Sequence, residues 1–178
     1  MRNPARDLLQ AKDGTVAIEF AFIAPILILL FLGTIELCNA LECRQKVTAL
    51  AASASDLVAQ QGTISRAQMN DVFAAVNAIM YPYSPTGSQI IVTSVKPDPA
   101  HVGKYLVDWS VPYNAIAHTP GSQIVVPAGV AITGASVIMT EVSYTYTPPS
   151  NQVIHAAFTM SDSFYSKPRK SAYVVYTN

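Results

Sequence analysis

Gly14-Thr15-Val16-Ala17-Ile18-Glu19-Phe20 opens the stretch that decides how this chain is arranged. From Val16 to Ile35 nearly every residue is apolar, with Glu19, Gly33 and Thr34 as the interruptions. Some 20 residues at roughly 1.5 Å each cover about 30 Å as a helix, the thickness of a bilayer's hydrocarbon core. A carboxylate inside such a run is costly in lipid, so Glu19 is a functional candidate by position alone. It follows Gly14 by five residues, and Gly14 closes a short polar leader that carries Arg2, Arg6 and Lys12.

Leader, glycine and glutamate at this spacing resemble the processing site of type IV prepilins. There a membrane peptidase cuts after the glycine and leaves Glu as the fifth mature residue. The chemistry accounts for the spacing. A cut after Gly14 puts an α-amino group on Thr15, with an unperturbed pKa near about 8 and mostly charged at neutral pH. That cation and the Glu19 carboxylate are both costly in lipid, and each offers the other a partner. Within one helix they sit about a turn apart; between subunits the pairing would set the register.

The longer pattern Glu19-Phe20-Ala21, Pro25, a Leu/Ile run, Gly33 and Glu36 is similar to the TadE-like family of the tight-adherence (Flp/type IVb) pilus system. Val142–Pro149 (VSYTYTPP) and Lys167-Pro168-Arg169 also look similar to that family's C-terminal region. The resemblance is specific over about residues 14–45 and weaker over 137–175, and the middle of the chain carries none. It implies a pseudopilin or minor pilin needed to build the pilus, cut between Gly14 and Thr15. Glu19, Phe20 and Pro25 would then serve subunit packing. The implied partners are a prepilin peptidase, the major pilin and sister pseudopilins, the inner-membrane assembly machinery and membrane lipid; no cofactor is implied. The implied location is the bacterial inner membrane.

Composition narrows the alternatives. The 178 residues have room for one membrane helix and one globular domain. With 11 basic and 11 acidic residues and no basic patch, a nucleic-acid partner is unsupported. Cys38 and Cys43 flank the end of the apolar run, and five residues of helix turn them to different faces. They read as small apolar residues, with an intermolecular disulfide between packed subunits as the alternative. The apolar run is longer than the roughly 7–15 residues of a secretory signal and lacks a good small-residue cleavage site. Ile35-Glu36-Leu37 before Cys38 argues against a lipoprotein signal. The remaining alternatives are an uncleaved signal anchor bearing a periplasmic binding or interaction domain, and a membrane-tethered enzyme. Basic residues on both sides of the span leave a small charge asymmetry. The short leader and long C-terminal part favour a cytoplasmic N-terminus and a periplasmic remainder.

Four segments follow: a leader (1–14), a transmembrane helix (15–38), an extracytoplasmic continuation of that helix (39–61) and a periplasmic α+β head (62–178). No Pro or Gly occurs between Thr34 and Gln61, so the helix should continue beyond the bilayer. Pro25 removes one hydrogen bond, to the Ala21 carbonyl, and should bend it. Val47, Leu50, Ala51, Ala54, Leu57 and Val58 form an apolar stripe, and Gly62 fits the position that ends such a helix. Glu36 is expected near the outer interface, in water. Ser65 and Gln68 make a capping box for a second helix, with Met69, Val72, Phe73, Val76, Ile79 and Met80 on its core side. Strands are expected over Ser88–Lys96, Lys104–Pro112, Ile124–Val126, Val130–Ile132, Ala135–Tyr146 and Ser171–Thr177, and a short helix over Asn151–Phe158. The first two strands should pair as a hairpin. The fold class is α+β: a long N-terminal transmembrane helix, pilin-like, packed on a small antiparallel sheet with one or two short helices.

Asp98, Asp108, Glu141, His101, His118 and His155 are the residues from which a metal or acid–base site would have to be built. Their spacing matches no ligand pattern, and no metal site is expected. Neither a G-x-S-x-G elbow nor a phosphate-cradling loop occurs. An enzyme would need a convergent pocket among Asp108, Glu141 and a histidine. Tyr144 and Tyr146 read as packing residues. Lys167, Arg169 and Lys170 read as a solvated turn, with lipid headgroups or an acidic neighbour as the other option.

Overall fold

One helix, α1, runs from Asp13 to Ala59 and continues through Pro25. The computed structural model describes residues 13–101, 103–127, 129–130, 134–149, 153 and 155–177. The chain forms two compact units. The first holds the chain to Asn39 together with Pro148–Ala156; the second holds Ala40–Thr147 and Ala157–Asn178. Leader residues 1–12, with Arg2, Arg6 and Lys12, lie outside the described residues, as do 131–133 of the expected Val130–Ile132 strand.

In the second unit, β1 (Thr63–Ser65) leads into helix α2 (Arg66–Asn77). The capping box forms as the sequence requires. Ser65 Oγ accepts from the Gln68 N–H at 3.3 Å, and Gln68 Oε1 accepts from the Ser65 N–H at 2.8 Å. Five further strands follow: β2 (Ser88–Pro97), β3 (Tyr105–Tyr113), β4 (Gln123–Ile124), β5 (Val137–Tyr146) and β6 (Phe158–Ser166), then a short β7 (Val175–Thr177). They make an antiparallel sheet in the order β4-β3-β2-β5-β6, and β7 pairs in parallel with β1. The β2–β3 hairpin is as expected, with a register shift at Ser94/Val95 that leaves Asp108 as the extra residue.

The core lies between α1 and one face of this sheet. Cys43, Val47, Leu50, Ala51, Ala54, Val58 and Ala59 of α1 are buried, against Ile90, Val92, Ile138, Val142, Tyr144 and Tyr146. Met69, Phe73, Val76 and Met80 close one side, with Val72 and Ile79 half-buried beside them. Phe73 stacks on Tyr113 at 5.5 Å between ring centroids, and Trp109 Nε1–H donates to the Val174 carbonyl at 2.7 Å. The small stripe on α1 permits a close approach, and Ser55 Oγ–H reaches the Ile138 carbonyl at 3.0 Å. At the helix end, the Arg169 N–H donates to the Ala59 carbonyl at 2.8 Å, satisfying one of the four carbonyls a helix terminus leaves open.

Several expectations change, among them the strands expected over Ile124–Val126 and Ser171–Thr177, which are confined to Gln123–Ile124 and Val175–Thr177. Leu57 is exposed rather than part of the buried stripe, because the face turned to the sheet is narrower than the apolar pattern. The helix stops at Ala59, and Gly62 does not adopt the left-handed conformation of a helix-ending glycine. Its carbonyl instead accepts from the Val175 N–H at 3.1 Å beside the β1–β7 pair. In place of a short helix ending at Phe158, that residue begins β6; residues 150–152 and 154 of the expected helix lie outside the described residues. An edge strand is paired on one side only, so β6 keeps Ser, Thr and Asp on both faces and its alternation is weak.

Enlarging Ala54, which is fully buried, to leucine should destabilise the full chain in detergent by about 1–3 kcal/mol in thermal or urea unfolding. Leu57→Ala should stay within about 0.5 kcal/mol, since Leu57 is exposed.

Candidate functional site

From Gly14 to Phe31 every residue of α1 is exposed except Ala24, which is half-buried. Phe20 and Phe31 on one side of the helix, and Phe22, Ile26 and Leu29 on the other, are each at least 60% exposed. A helix apolar all round belongs in an apolar medium, because water would meet a patch far larger than soluble monomers carry. Among the described residues this is the one helix long and apolar enough to cross a membrane, and it fits a single-pass anchor. Gly14 and Thr15 lie in its first turns, Glu19 about a turn further, and Phe20 and Pro25 on the same exposed surface. A Cβ built on Gly14 meets nothing within 4 Å, so the fold itself makes no demand for glycine there.

At the other end of the apolar run, Glu36 is not in water. It is 1% exposed, and both carboxylate oxygens accept from the Val153 N–H, at 3.3 and 3.2 Å. The Val153 methyls stand 3.8 and 3.9 Å from where a Cβ on Gly33 would lie, one turn before Glu36. Val153 is thus seated on α1 through a small residue, Gly33, and a carboxyl acceptor, Glu36. Sequence reasoning reached Glu36 but not its partner. The Gly33/Glu36 spacing, three residues apart on one face, was the available signal that something approaches there.

The polar groups of the second unit gather in pairs. Asp98 caps its own turn, accepting from the Ala100 N–H at 2.8 Å and pairing with His101 Nδ1 at 2.9 Å. The Ala100 N–H first, and His101 next, hold its carboxyl below the usual carboxylate range. Asp108, the extra residue of the β3 irregularity, accepts from Lys96 Nζ at 2.6 Å. His118 Nε2 donates to Glu141 Oε2 at 2.5 Å, while its backbone N–H donates to Ser110 Oγ at 3.1 Å. That couple pins the loop after β3 over the sheet face opposite α1. It borders a cavity of about 330 Å³ lined also by Gln89, Ile91, Ser161 and Ser163.

Asp108 and Glu141 are not brought together. Glu141 lies level with Pro112 across Ile91, four residues along β3 from Asp108, or about 13 Å of strand. His155 belongs to the first unit. No group of three or more His, Cys, Asp or Glu side chains able to hold a metal occurs among the described residues. Tyr144 and Tyr146 are buried core residues. Arg169 pairs with Asp56 of α1, so the small basic turn is tied to the head rather than wholly solvated.

The cysteines divide by exposure: Cys38 is exposed and Cys43 buried. Burial first, and then Glu42 beside it, push the Cys43 thiol up to about 11. A maleimide at neutral pH should therefore label Cys38 alone in the folded protein, and both after unfolding, as intact mass would record. Because the folded state holds the Cys43 proton more tightly, its contribution to stability is complete below the thiol's ordinary value near 9 and is lost as pH rises toward about 11.

No curated protein and no solved structure matches the chain. Residues 14–56 match the family model described as TadE-like protein, a span that runs from the glycine through the exposed apolar helix to the end of the small-residue stripe.

Proposed function

We propose that the chain is a pseudopilin, or minor pilin, required to assemble a tight-adherence (Flp/type IVb) pilus. In this reading a prepilin peptidase removes the leader after Gly14. The mature chain stays in the bacterial inner membrane as a single-pass protein with a cytoplasmic N-terminus and a periplasmic head, or passes from there into the fibre. The observation that carries it is Gly14 and Glu19 at the spacing a processed N-terminus needs, at the start of a helix exposed on all sides, inside the span that matches the TadE-like model. That Gly14 is not needed for packing supports a role in recognition by the peptidase.

The chemistry follows from the medium. Cleavage creates a cation on Thr15 where water is scarce, and Glu19 of the same or a neighbouring subunit neutralises it. Phe20 and the Leu/Ile run supply lateral packing for the major pilin and sister pseudopilins, and Pro25 shapes that surface by removing one helical hydrogen bond. The rest of the inner-membrane assembly machinery would meet the chain here too. No step in this role requires a cofactor.

Removing one partner of an ion pair in a low-dielectric setting costs about 3–5 kcal/mol. Glu19→Gln should therefore weaken crosslinking between neighbouring helices by roughly two to four powers of ten and stop pilus assembly, while Glu19→Asp keeps part of both. Site-specific crosslinking in membranes and counting of surface pili read the two effects. Assembly and crosslinking left intact by Glu19→Gln would remove the charge from the mechanism.

A further inference from the structure

We infer that Val153 and Ala156 make a second membrane contact, with Val153 held by Glu36 at the outer boundary of the bilayer so that it touches lipid. The inference rests on the reading of residues 16–35 as the membrane span. If Ile35 marks the outer edge of the hydrocarbon core, Gly33 lies about 3 Å inside it, at 1.5 Å per residue. Val153 packs against Gly33, so it stands at the same depth, and it remains 38% exposed on its other side. Ala156, in the same unit, is exposed as well.

Irregular backbone at that depth has a specific difficulty. A peptide N–H turned away from water and toward lipid is left without a partner, which is why loops avoid the hydrocarbon region. Here the Val153 N–H points at the helix and is taken by both oxygens of Glu36. Glu36 lies just outside the span, and Gly33 lies inside it, where only a hydrogen is in the way. A Cβ at Gly33 would be in ordinary contact with Val153, whereas a larger side chain would displace the loop. The partner is a lipid surface at the level of the headgroup–acyl boundary.

The test uses the full chain reconstituted in phosphatidylcholine vesicles whose acyl chains are brominated at a shallow or a deep position, quenchers of indole fluorescence. The chain has one tryptophan, Trp109, in the core of the head, as an unquenched baseline. Val153→Trp and, at an exposed site with less demand on packing, Ala156→Trp should each add emission that shallow bromines quench more than deep ones. Leu27→Trp, at mid-span, should show the reverse order. Adding Glu36→Ala or Gly33→Leu should abolish quenching at both loop positions and leave Leu27→Trp unchanged; Glu36→Gln, which keeps an acceptor oxygen, should retain part of it. Quenching at Leu27 with none at positions 153 and 156 would overturn the loop contact and leave the span standing. No quenching at Leu27 would overturn the span and the loop contact together. Shallow quenching that survives Glu36→Ala and Gly33→Leu would overturn the assigned role of Glu36.

Discussion

The head depends on how closely α1 approaches its sheet. Ala51, Ala54 and Ser55 on the helix are completely buried, and the Ser55 hydroxyl is near enough to bond a strand carbonyl. The sheet answers with small residues of its own: Ser88, Ser94 and Thr140 share the face that carries Ile90, Val92 and Ile138. The hydroxyls of these three have no hydrogen-bond partner among the described residues. A buried hydroxyl without a partner costs about 1–3 kcal/mol. Their presence in the contact therefore says that volume, rather than polarity, is the governing constraint there. Aromatic side chains also pair around this contact, as Phe73 with Tyr113 and Trp109 with Tyr176.

The same helix obeys a different rule before Asn39. From Val16 to Phe31 its side chains are mostly apolar, many of them large, and all but Ala24 are exposed, so no protein surface selects a face. Selection appears again only at Gly33 and Glu36, where a loop is seated. Large residues without a preferred side suit a fluid apolar solvent, and small residues on one side suit a fixed partner. Composition along one uninterrupted helix thus reports two environments. Cys38 and Cys43 fall on either side of that change, one exposed and one buried.

Much of this was legible in the sequence because it depends on local patterns. The apolar run, the stripe at Val47, Leu50, Ala51, Ala54 and Val58, the Ser65/Gln68 box and the β2–β3 hairpin all arise within a few turns or one loop. What escaped depends on distant partners. Strand β6 is an edge, so its faces carry no clean alternation. The parallel pairing of Thr63–Ser65 with Val175–Thr177 joins residues more than a hundred positions apart. Glu36 was visible as a charge beside the span, but its acceptor role is defined by the Val153 backbone, which no side-chain pattern encodes. His118 and Glu141 likewise meet only because the loop after β3 folds back over the sheet.

The central claim is that the helix begins, in the working protein, at Thr15. Intact mass and N-terminal sequence of the protein recovered from membranes, with and without a prepilin peptidase, test it most directly. The account requires a chain starting Thr15-Val16-Ala17 when the peptidase is present and one retaining the leader when it is absent. A chain that keeps Gly14 and the residues before it under both conditions would contradict the account, and would leave α1 as an uncleaved anchor for a head whose own surfaces carry the function.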